Sequence, residues 1–346
     1  MKVSSGAAFF ILAMSLCVAN VARGELGFFP VTDGQPALAR AAKSVFRLVA
    51  PAGKLIQIDK DKIPQLLEKL SAQKPLEIVL RIQLERCQNS TDAKCVLLDD
   101  VTMGTGFLVA DGKRMRTAFH VLSDALKLHL YLTRREPLIE RRGTGEVVVA
   151  EVKKVFLPVV VLDASSQVVF QADAQAVFSL KTPHQNLQVI NEDYESKNWD
   201  DFIEVDLPRV LGAGLSIATQ KPAKDGTVYG IGFPSQSTSR VQFNAPDADG
   251  NSQYLSKGKA LDVQQVSERS GQEINAATRE VYEKSVLLTD VDAMPGSSGG
   301  PYLNAAGEVV GLFTMNVTED ENAVTPQTLV TIGPTSARMA EVLDAK

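Results

Sequence analysis

Much of the chain consists of short apolar segments, rich in β-branched residues and separated by turn residues, and this texture limits the folds that it can adopt. Such segments are typical of β-strands. Helical segments of about 10–15 residues do not alternate with them, which disfavours a parallel sheet with crossover helices. We therefore expect closed or sandwiched antiparallel sheets. The segments lie at residues 76–84, 105–111, 126–132, 145–163, 166–173, 175–180, 226–234, 282–290, 307–317 and 328–334.

Helices are predicted at four places. Residues 37–51 read as a short helix that runs into a strand, and a short helix is expected near 274–284 within a polar stretch at 235–280. The other two helices follow from apolar residues at helical spacing. These residues are Ile63, Leu66, Leu67 and Leu70 in one helix, and Met339, Val342 and Leu343 in a C-terminal helix capped by Thr335 or Ser336.

The N-terminus has the pattern of an export signal. Lys2 precedes an uncharged apolar stretch, and small residues at Ala22 and Gly24 offer cleavage sites after either position. The alternative is a transmembrane anchor. The strongly apolar part, Ala7 to Ala19, has 13 residues, whereas about 20 are needed to span a bilayer. We therefore expect residues 1–24 to be a signal peptide.

Two cysteines remain once Cys17 leaves with the signal. Cys87 and Cys95 lie eight residues apart around a polar turn, and in an exported chain this spacing predicts a structural hairpin disulfide. A loop this short contributes about 2–3 kcal/mol. The alternative is a metal site formed by the two cysteines. Such a site would need further ligands nearby, and no histidine lies within 20 residues of the pair.

The overall charge excludes one class of partner. The net charge is −5 and the pI is about 5.4, whereas a nucleic-acid surface shows a basic stripe. The densest basic stretch, residues 134–142, is interrupted by two glutamates. We interpret it as a solvated strand edge or loop.

A Gly/Ser-rich loop precedes one of the predicted strands. Positions 295–301 read PGSSGGP. Glycines around Ser298 would expose its hydroxyl and allow close approach to the backbone. The amides of Gly296 and Ser298 could then stabilise an oxyanion. A plain surface turn is the alternative, and a serine needs an adjacent base to act as a nucleophile.

The chain has three histidines, so the candidate bases can all be considered. His129 lies within a predicted strand and suits a structural role. His184 lies in a polar turn and is expected to be solvated. His120 follows the segment TAF at the end of a predicted strand, which makes it the candidate base.

Together these segments resemble the trypsin-like (chymotrypsin-fold) serine proteases in their bacterial exported form. TAFH at 117–120 and GSSGGP at 296–301 resemble the histidine and serine boxes of that family, and GEVVGLF at 307–313 resembles the strand that follows. The resemblance implies an all-β fold of two antiparallel β-barrels, here with a short N-terminal helical insertion and a C-terminal helix. It covers roughly residues 40–345.

The family's third element is an aspartate that starts an apolar strand. Asp201 takes this place, with Asp200 as the fallback and Glu204 as a departure from the pattern. The resemblance implies that Ser298 is the nucleophile, His120 the general base and Asp201 the residue that orients the imidazole.

Other positions bear on specificity and activation. The resemblance places Asp292 at the floor of the pocket for a basic P1 residue, with Thr314 and Asn316 (and Met315 between them) along its wall. Ser297 stands where zymogen-type members have an aspartate, so activation through a buried N-terminal salt bridge is not expected.

The sequence therefore predicts a serine endopeptidase, periplasmic or extracellular, that acts on proteins or peptides. No cofactor, metal, nucleic acid or, after signal cleavage, membrane is expected to bind. A catalytically inactive binding protein on the same fold is the alternative. An esterase with a Gly-x-Ser-x-Gly elbow is excluded, because such enzymes need a histidine after the serine.

The expected divisions are 25–98 (first strand, helix and disulfide), 99–208 (first barrel) and 209–346 (second barrel and C-terminal helix).

Overall fold

The structure is a computed structural model of the 346-residue chain. The structure describes eleven ranges of residues. These are 28–30, 35–71, 74–91, 94–109, 111–134, 138–142, 145–149, 155–173, 200–234, 253–318 and 328–343.

Strands dominate this part of the chain. In order they are β1 Phe28–Pro30, β2 Val45–Asp59, β3 Lys94–Val109, β4 Arg114–Thr117, β5 Leu138–Arg142, β6 Gly145–Val149, β7 Pro158–Leu162, β8 Val168–Asp173, β9 Ile203–Asp206, β10 Thr227–Gly232, β11 Tyr254–Lys259, β12 Val286–Thr289, β13 Pro301–Leu303, β14 Val309–Leu312, β15 Met315–Thr318 and β16 Thr328–Pro334.

The helices are shorter and lie around the sheets. They are α1 Pro36–Ala42, α2 Ile63–Lys69, α3 Pro75–Gln88, α4 Phe119–Arg134, α5 Val263–Ser270, α6 Ala276–Ser285 and α7 Ser336–Leu343, with a 3-10 turn at Lys60–Lys62. Within the described residues, none of these helices is both long enough and apolar enough to cross a bilayer.

The N-terminal half forms a six-stranded antiparallel sheet in the order β8-β7-β2-β3-β4-β9. The long pair β2 and β3 lies at its centre. The expected boundary between 25–98 and 99–208 therefore falls inside β3. A separate hairpin joins β5 and β6.

The strands of the C-terminal half, together with the N-terminal strand β1, form two antiparallel sheets. One has the order β1-β11-β10-β13-β14 and the other β12-β16-β15. Isolated antiparallel bridges connect them, Ala260 with Thr289 and Gly311 with Thr335. The mostly β architecture is confirmed. The two bridges join these sheets into a closed barrel. In the six-stranded sheet β8 and β9 are the two edge strands, so closure of the first predicted barrel is not seen within the described residues.

One apolar core runs between the two halves. It includes the α4 residues Val121, Leu122, Ala125 and Leu126, together with Met339 of α7, all nearly inaccessible to solvent. Burial of this apolar surface is the main force that holds the helices against the sheets. The C-terminal helix and its apolar face are confirmed.

Two predicted strands are helical in the structure. Residues 76–84 lie in α3, where Pro75 occupies the first turn, a position that favours a helix start. Residues 126–132, which include the backbone of His129, lie in α4. Both segments place apolar residues at helical as well as alternating spacing, and packing of the helical face against the core decides between them. A further helix, α5, forms within the stretch that was expected to be mostly loop.

A disulfide joins Cys87 to Cys95. It connects the end of α3 to the start of β3, so the predicted pairing is present but the hairpin is wrong, because the first cysteine lies in a helix. The signal peptide at 1–24, His184 and the segment 175–180 lie outside the described residues.

Candidate active site

His120 lies in the first turn of α4, directly after β4. Its neighbours Phe119 and Val121 are almost fully buried, whereas 30% of the imidazole side chain is exposed. The residues on both sides are thus held in the core while the ring remains partly exposed to solvent. This is the placement expected of a histidine that meets a substrate.

Asp201 binds His120 through both of its carboxylate oxygens. Oδ2 lies 2.5 Å from Nδ1 of the ring, and Oδ1 accepts the backbone N–H of His120 at 2.9 Å. The strand register explains why Asp201 lies beside His120. Thr117 of β4 pairs with Ile203 of β9, so residues just after Thr117 face residues just before Ile203. Asp201 is 3% exposed, and so its charge acts on the ring with little screening by water.

The environment raises the pKa of the His120 imidazole above its usual value near 6.5. Burial is the largest single influence and lowers the pKa, because it disfavours the charged ring. The negative charge of Asp201 and its hydrogen bond act in the opposite direction and together outweigh burial. The ring thus has an increased affinity for a proton.

The Gly/Ser loop packs against the segment that leads to His120. Gly299 has a φ of +87°, and a Cβ there would lie 2.2 Å from both Thr105 O and Thr117 Oγ1, and 2.7 Å from the amide nitrogen of Ala118. A side chain at this position would meet backbone and strain the turn. Glycine thus allows the loop carrying Ser298 to contact the segment that ends at His120.

Thr105, in the C-terminal part of β3, binds this loop to the first sheet. Its amide donates to the carbonyl of Ser298 at 2.7 Å, and its hydroxyl donates to the carbonyl of Gly296 at 2.7 Å. The same hydroxyl accepts the amide of Phe233 at 3.1 Å. Thr105 is completely buried. Sequence reasoning missed this residue, although it lies in the Gly-Thr-Gly segment just before the histidine box.

Thr117 completes this connection from the histidine side. Its hydroxyl donates to the carbonyl of Thr105 at 2.7 Å. The strand that precedes His120 is therefore joined to Thr105 by a hydrogen bond, and Thr105 in turn is joined to the serine loop.

The loop leaves two backbone donors available. The amide of Ser297 donates to Met294, that of Gly299 to Phe313 and that of Gly300 to Ser297. In contrast, the amides of Gly296 and Ser298 donate to no acceptor within the described ranges. Gly296 has a φ of +90°, a conformation that glycine adopts without strain.

Asp292 lies in the same loop region and has a strongly perturbed carboxyl group. Burial, and secondarily the charge of Asp290, raises its pKa to about 6. A cavity of about 20 Å³ borders Asp292 and Ser297. This volume holds about one water molecule, so a lysine or arginine side chain would enter only if its neighbours moved.

The two predicted wall residues make internal contacts. The hydroxyl of Thr314 donates to the carbonyl of Ile332 at 2.8 Å. The Nδ2 of Asn316 donates to the carbonyl of Ala293 at 3.2 Å, next to Asp292. Asn316 is therefore brought together with the Asp292 segment, whereas the Thr314 hydroxyl is directed into the sheet.

Asp200, the fallback for the acid, has a different partner. Both of its carboxylate oxygens accept hydrogen bonds from Arg338 of α7, each at 2.9 Å. The contact to His120 is made by Asp201, its neighbour. Arg338 was not identified from the sequence, since 138 residues separate it from Asp200.

Glu204, which departs from the family pattern, has a buried cationic partner. Its Oε2 accepts a hydrogen bond from Nε of Arg116 at 2.9 Å, and its Oε1 accepts one from Nη1 of Arg114 at 3.1 Å. Glu204 and Arg116 are cross-strand partners in β9 and β4, and both are almost inaccessible. The ion pair thus lies between β4, which leads to His120, and β9, which follows Asp201.

Within the described part of the chain, no cluster of three or more histidine, cysteine, aspartate or glutamate side chains is arranged to hold a metal ion.

Comparison with known proteins identifies the family. The sequence profile of the trypsin-like peptidase domain matches residues 104–312, which is more than half of the chain. The chain belongs to the trypsin-like peptidase family, and the resemblance inferred from the histidine and serine boxes is confirmed.

Individual relatives are distant. A 42-residue segment is 45% identical to the serine protease Do-like HtrB of Bacillus subtilis (strain 168), and it covers 12% of this chain and only 9% of HtrB. Among solved structures, the active form of the Rv3671c protease of M. tuberculosis is 14% identical with a TM-score of 0.41, over 90% of this chain and 86% of that chain. The HtrA-type protease AlgW with a decapeptide is 13% identical with a TM-score of 0.45, over 91% of this chain and 67% of AlgW.

Proposed function

We propose that the chain is an exported serine endopeptidase that hydrolyses peptide bonds through Ser298, His120 and Asp201. The contact of Asp201 with both the ring and the backbone of His120 is the observation that carries this proposal. A carboxylate in that position holds the imidazole with Nδ1 protonated, so that Nε2 is free to accept a proton.

The reaction would proceed through an acyl-enzyme intermediate. The Oγ of Ser298 attacks the scissile carbonyl carbon while His120 takes the proton of the hydroxyl. The π electrons of the carbonyl move onto the carbonyl oxygen of the substrate. The amides of Gly296 and Ser298 stabilise that oxyanion. His120 then donates the proton to the leaving amine, and the C–N bond breaks. In the second half of the reaction, water takes the place of the Ser298 hydroxyl and attacks the acyl-enzyme ester, with His120 again as the base. The carboxylic acid product is released and Ser298 regains its proton.

The negative charge of Asp201 supports these proton transfers. It stabilises the imidazolium that forms when the ring accepts a proton, which agrees in sign with the raised pKa of His120. Since Asp201 is buried, its charge is not dispersed by solvent.

Specificity for a basic P1 residue is proposed for Asp292, with Asn316 beside it. The support is the position of Asp292 six residues before Ser298 and its place in the segment that Asn316 contacts. A basic side chain could reach Asp292 only after rearrangement, because the neighbouring cavity has room for about one water molecule.

Export is proposed from the N-terminal sequence, and a disulfide between Cys87 and Cys95 agrees with an oxidising compartment. The substrates are proposed to be proteins or peptides.

The test is hydrolysis of a quenched-fluorescent peptide library by the purified protein and by Ser298→Ala. The wild type should cleave, and the variant should lose activity by several orders of magnitude because the nucleophile is gone. Equal cleavage by both proteins, or none by a folded wild type, would contradict the proposal. In the latter case the alternative of an inactive binding protein on this fold would be favoured.

A further inference from the structure

The acid that contacts His120 is held on its C-terminal side by a strand. Asp201 lies two residues before Ile203, where β9 begins and pairs with β4. Between them, Phe202 is completely buried. This side of Asp201 is therefore fixed by the first sheet and its core.

The other side of Asp201 is held by the C-terminal helix. Nε and Nη2 of Arg338 each donate to a different oxygen of Asp200, both at 2.9 Å. This two-point arrangement fixes direction as well as distance, since the planar guanidinium matches the carboxylate. The carbonyl of Asp200 also accepts the amide of Phe202 at 2.9 Å, which closes a turn around Asp201.

Arg338 is itself attached to the half of the molecule that carries Ser298. Its helix α7 follows β16 directly, and the amide of Arg338 donates to the hydroxyl of Thr335 at 3.2 Å. The backbone of Thr335 is joined to Ser285 by a hydrogen bond of 2.9 Å, and Met339 in the same helix is completely buried. The backbone at Arg338 is thus held in place by these hydrogen bonds and by the burial of Met339.

We propose that Arg338 is a positioning residue for catalysis, which holds the turn at Asp200 and thereby keeps the carboxylate of Asp201 on the His120 ring. The hydrogen bonds of Arg338 are with Asp200, Thr335 and Glu341, so it acts on the ring through Asp200. Because it belongs to the serine-bearing half, it also links the position of the acid to that of the nucleophile. The inference rests on the proposed function.

The chain provides a matched control for this role. On its exposed side Arg338 also pairs with Glu341, at 3.1 Å from Nη1, and the Glu341 side chain is 70% exposed. Glu341→Gln removes a charge pair of the same arginine and leaves the contact with Asp200 in place. It should leave activity unchanged.

The experiment compares Arg338→Gln, Arg338→Lys, Asp200→Asn and Glu341→Gln in the full chain. Arg338→Gln and Asp200→Asn should each lower kcat by about 10- to 100-fold, the effect of a small misplacement of a catalytic group. KM should change by less than about twofold, because substrate contacts are intact. Arg338→Lys should be intermediate, since an ammonium cannot reproduce the two-point contact. The double variant Arg338→Gln/Asp200→Asn should have a kcat no lower than that of the less active single variant, because both changes remove the same contact.

A second measurement does not need activity. The titration of the His120 ring, followed by NMR and assigned by its loss in His120→Gln, should shift to lower pH in Arg338→Gln and Asp200→Asn. The reason is that a carboxylate displaced from the ring no longer raises its pKa. The shift should be absent in Glu341→Gln.

The two proposals fail in different ways. If the wild type cleaves peptides and Arg338→Gln retains its kcat and its His120 titration, the role of Arg338 is overturned and the protease function stands. If the wild type does not cleave, the function fails, and the titration alone decides whether Arg338 positions Asp201. A change in unfolding free energy without a change in kcat or titration would show a purely structural ion pair and would also overturn the inference.

Discussion

The backbone amide of Thr105 donates a hydrogen bond of 2.7 Å to the carbonyl of Ser298, across 193 residues of sequence. The hydroxyl of the same threonine holds the carbonyl of Gly296, so a single buried residue of the first sheet fixes both ends of the candidate oxyanion hole. The loop that carries Ser298 is therefore fixed in place by the sheet whose strand β4 leads to His120.

Thr105→Val should impair catalysis more than the change in shape suggests. Valine keeps the volume but leaves the carbonyl of Gly296 and the amide of Phe233 without the hydroxyl they bind. An unsatisfied buried polar group costs about 1–3 kcal/mol. We expect a fall of this size in the free energy of unfolding, measured by urea denaturation, together with a lower kcat. Thr105→Ser is the control and should retain most of both; equal loss in the two variants would contradict the role of the hydroxyl.

The raised pKa of His120 predicts the acid limb of the pH–rate profile. The ring must be neutral to accept a proton, so kcat/KM should rise with pH, and the midpoint should lie above the ordinary histidine value of about 6.5.

Asp201→Asn separates the effect of charge from the effect of burial on the pKa of His120. It removes the charge that raises the pKa and leaves the burial that lowers it, so the acid limb should move to lower pH. The activity should fall by roughly 10⁴-fold, the size known for this change in the archetypal Ser-His-Asp triad. Steady-state kinetics between about pH 5 and 9 measure both effects. An unchanged midpoint would contradict the assignment of Asp201.

Asp292 should make stability and P1 preference depend on pH. Its pKa of about 6 in the folded protein exceeds the usual value near 3.9, so the folded state binds this proton more tightly. The associated stability is fully present below about pH 4 and is lost as pH rises through about 6. Asp292→Asn should therefore raise the free energy of unfolding above pH 6, by about 3 kcal/mol at most.

The same residue should decide cleavage after lysine or arginine. Ionised Asp292 attracts a basic P1 side chain, so that preference should strengthen between about pH 5 and 7, in line with the pKa of about 6. A P1-randomised library measures it for the wild type and Asp292→Asn. Cleavage after small or apolar residues that the substitution leaves unchanged would remove Asp292 from the pocket.

Breaking the buried pair of Arg116 and Glu204 should destabilise the protein strongly. Removal of Glu204 leaves the Arg116 guanidinium as an uncompensated charge in the core, which typically costs 3–5 kcal/mol, or about 4 kcal/mol for Glu204→Gln. The loss for Arg116→Met should be smaller, because Arg114 still donates to Glu204. Replacement of both by leucine should recover much of this loss, because a packed apolar pair has no charge to desolvate. Chemical denaturation measures all three. A double variant that is less stable than either single one would contradict this account.

The sequence predicted local features best. The histidine and serine boxes are each contiguous, so His120 and Ser298 could be selected without knowledge of the fold. The C-terminal helix was predicted because Met339 and Leu343 recur at helical spacing and bury one face. In α4, residues 126–132 alternate and also fit a helix, and only tertiary packing of the helical face decides between the two.

Long-range partners were beyond sequence reasoning. Arg338 and Thr105 bind residues more than 100 positions away, and even the Gly-Thr-Gly segment around Thr105 does not indicate which residues it contacts. Glu204 was visible as a charged residue in an apolar strand. Its partner Arg116 could be identified only once the register of β4 and β9 was known.

The most direct test of the central proposal is covalent labelling with a fluorophosphonate, followed by mass spectrometry of the digested protein. We expect one adduct on Ser298 in the wild type, no adduct in Ser298→Ala and much slower labelling in His120→Gln. A folded wild type that stays unlabelled, or an adduct on another residue that persists in Ser298→Ala, would contradict the proposal.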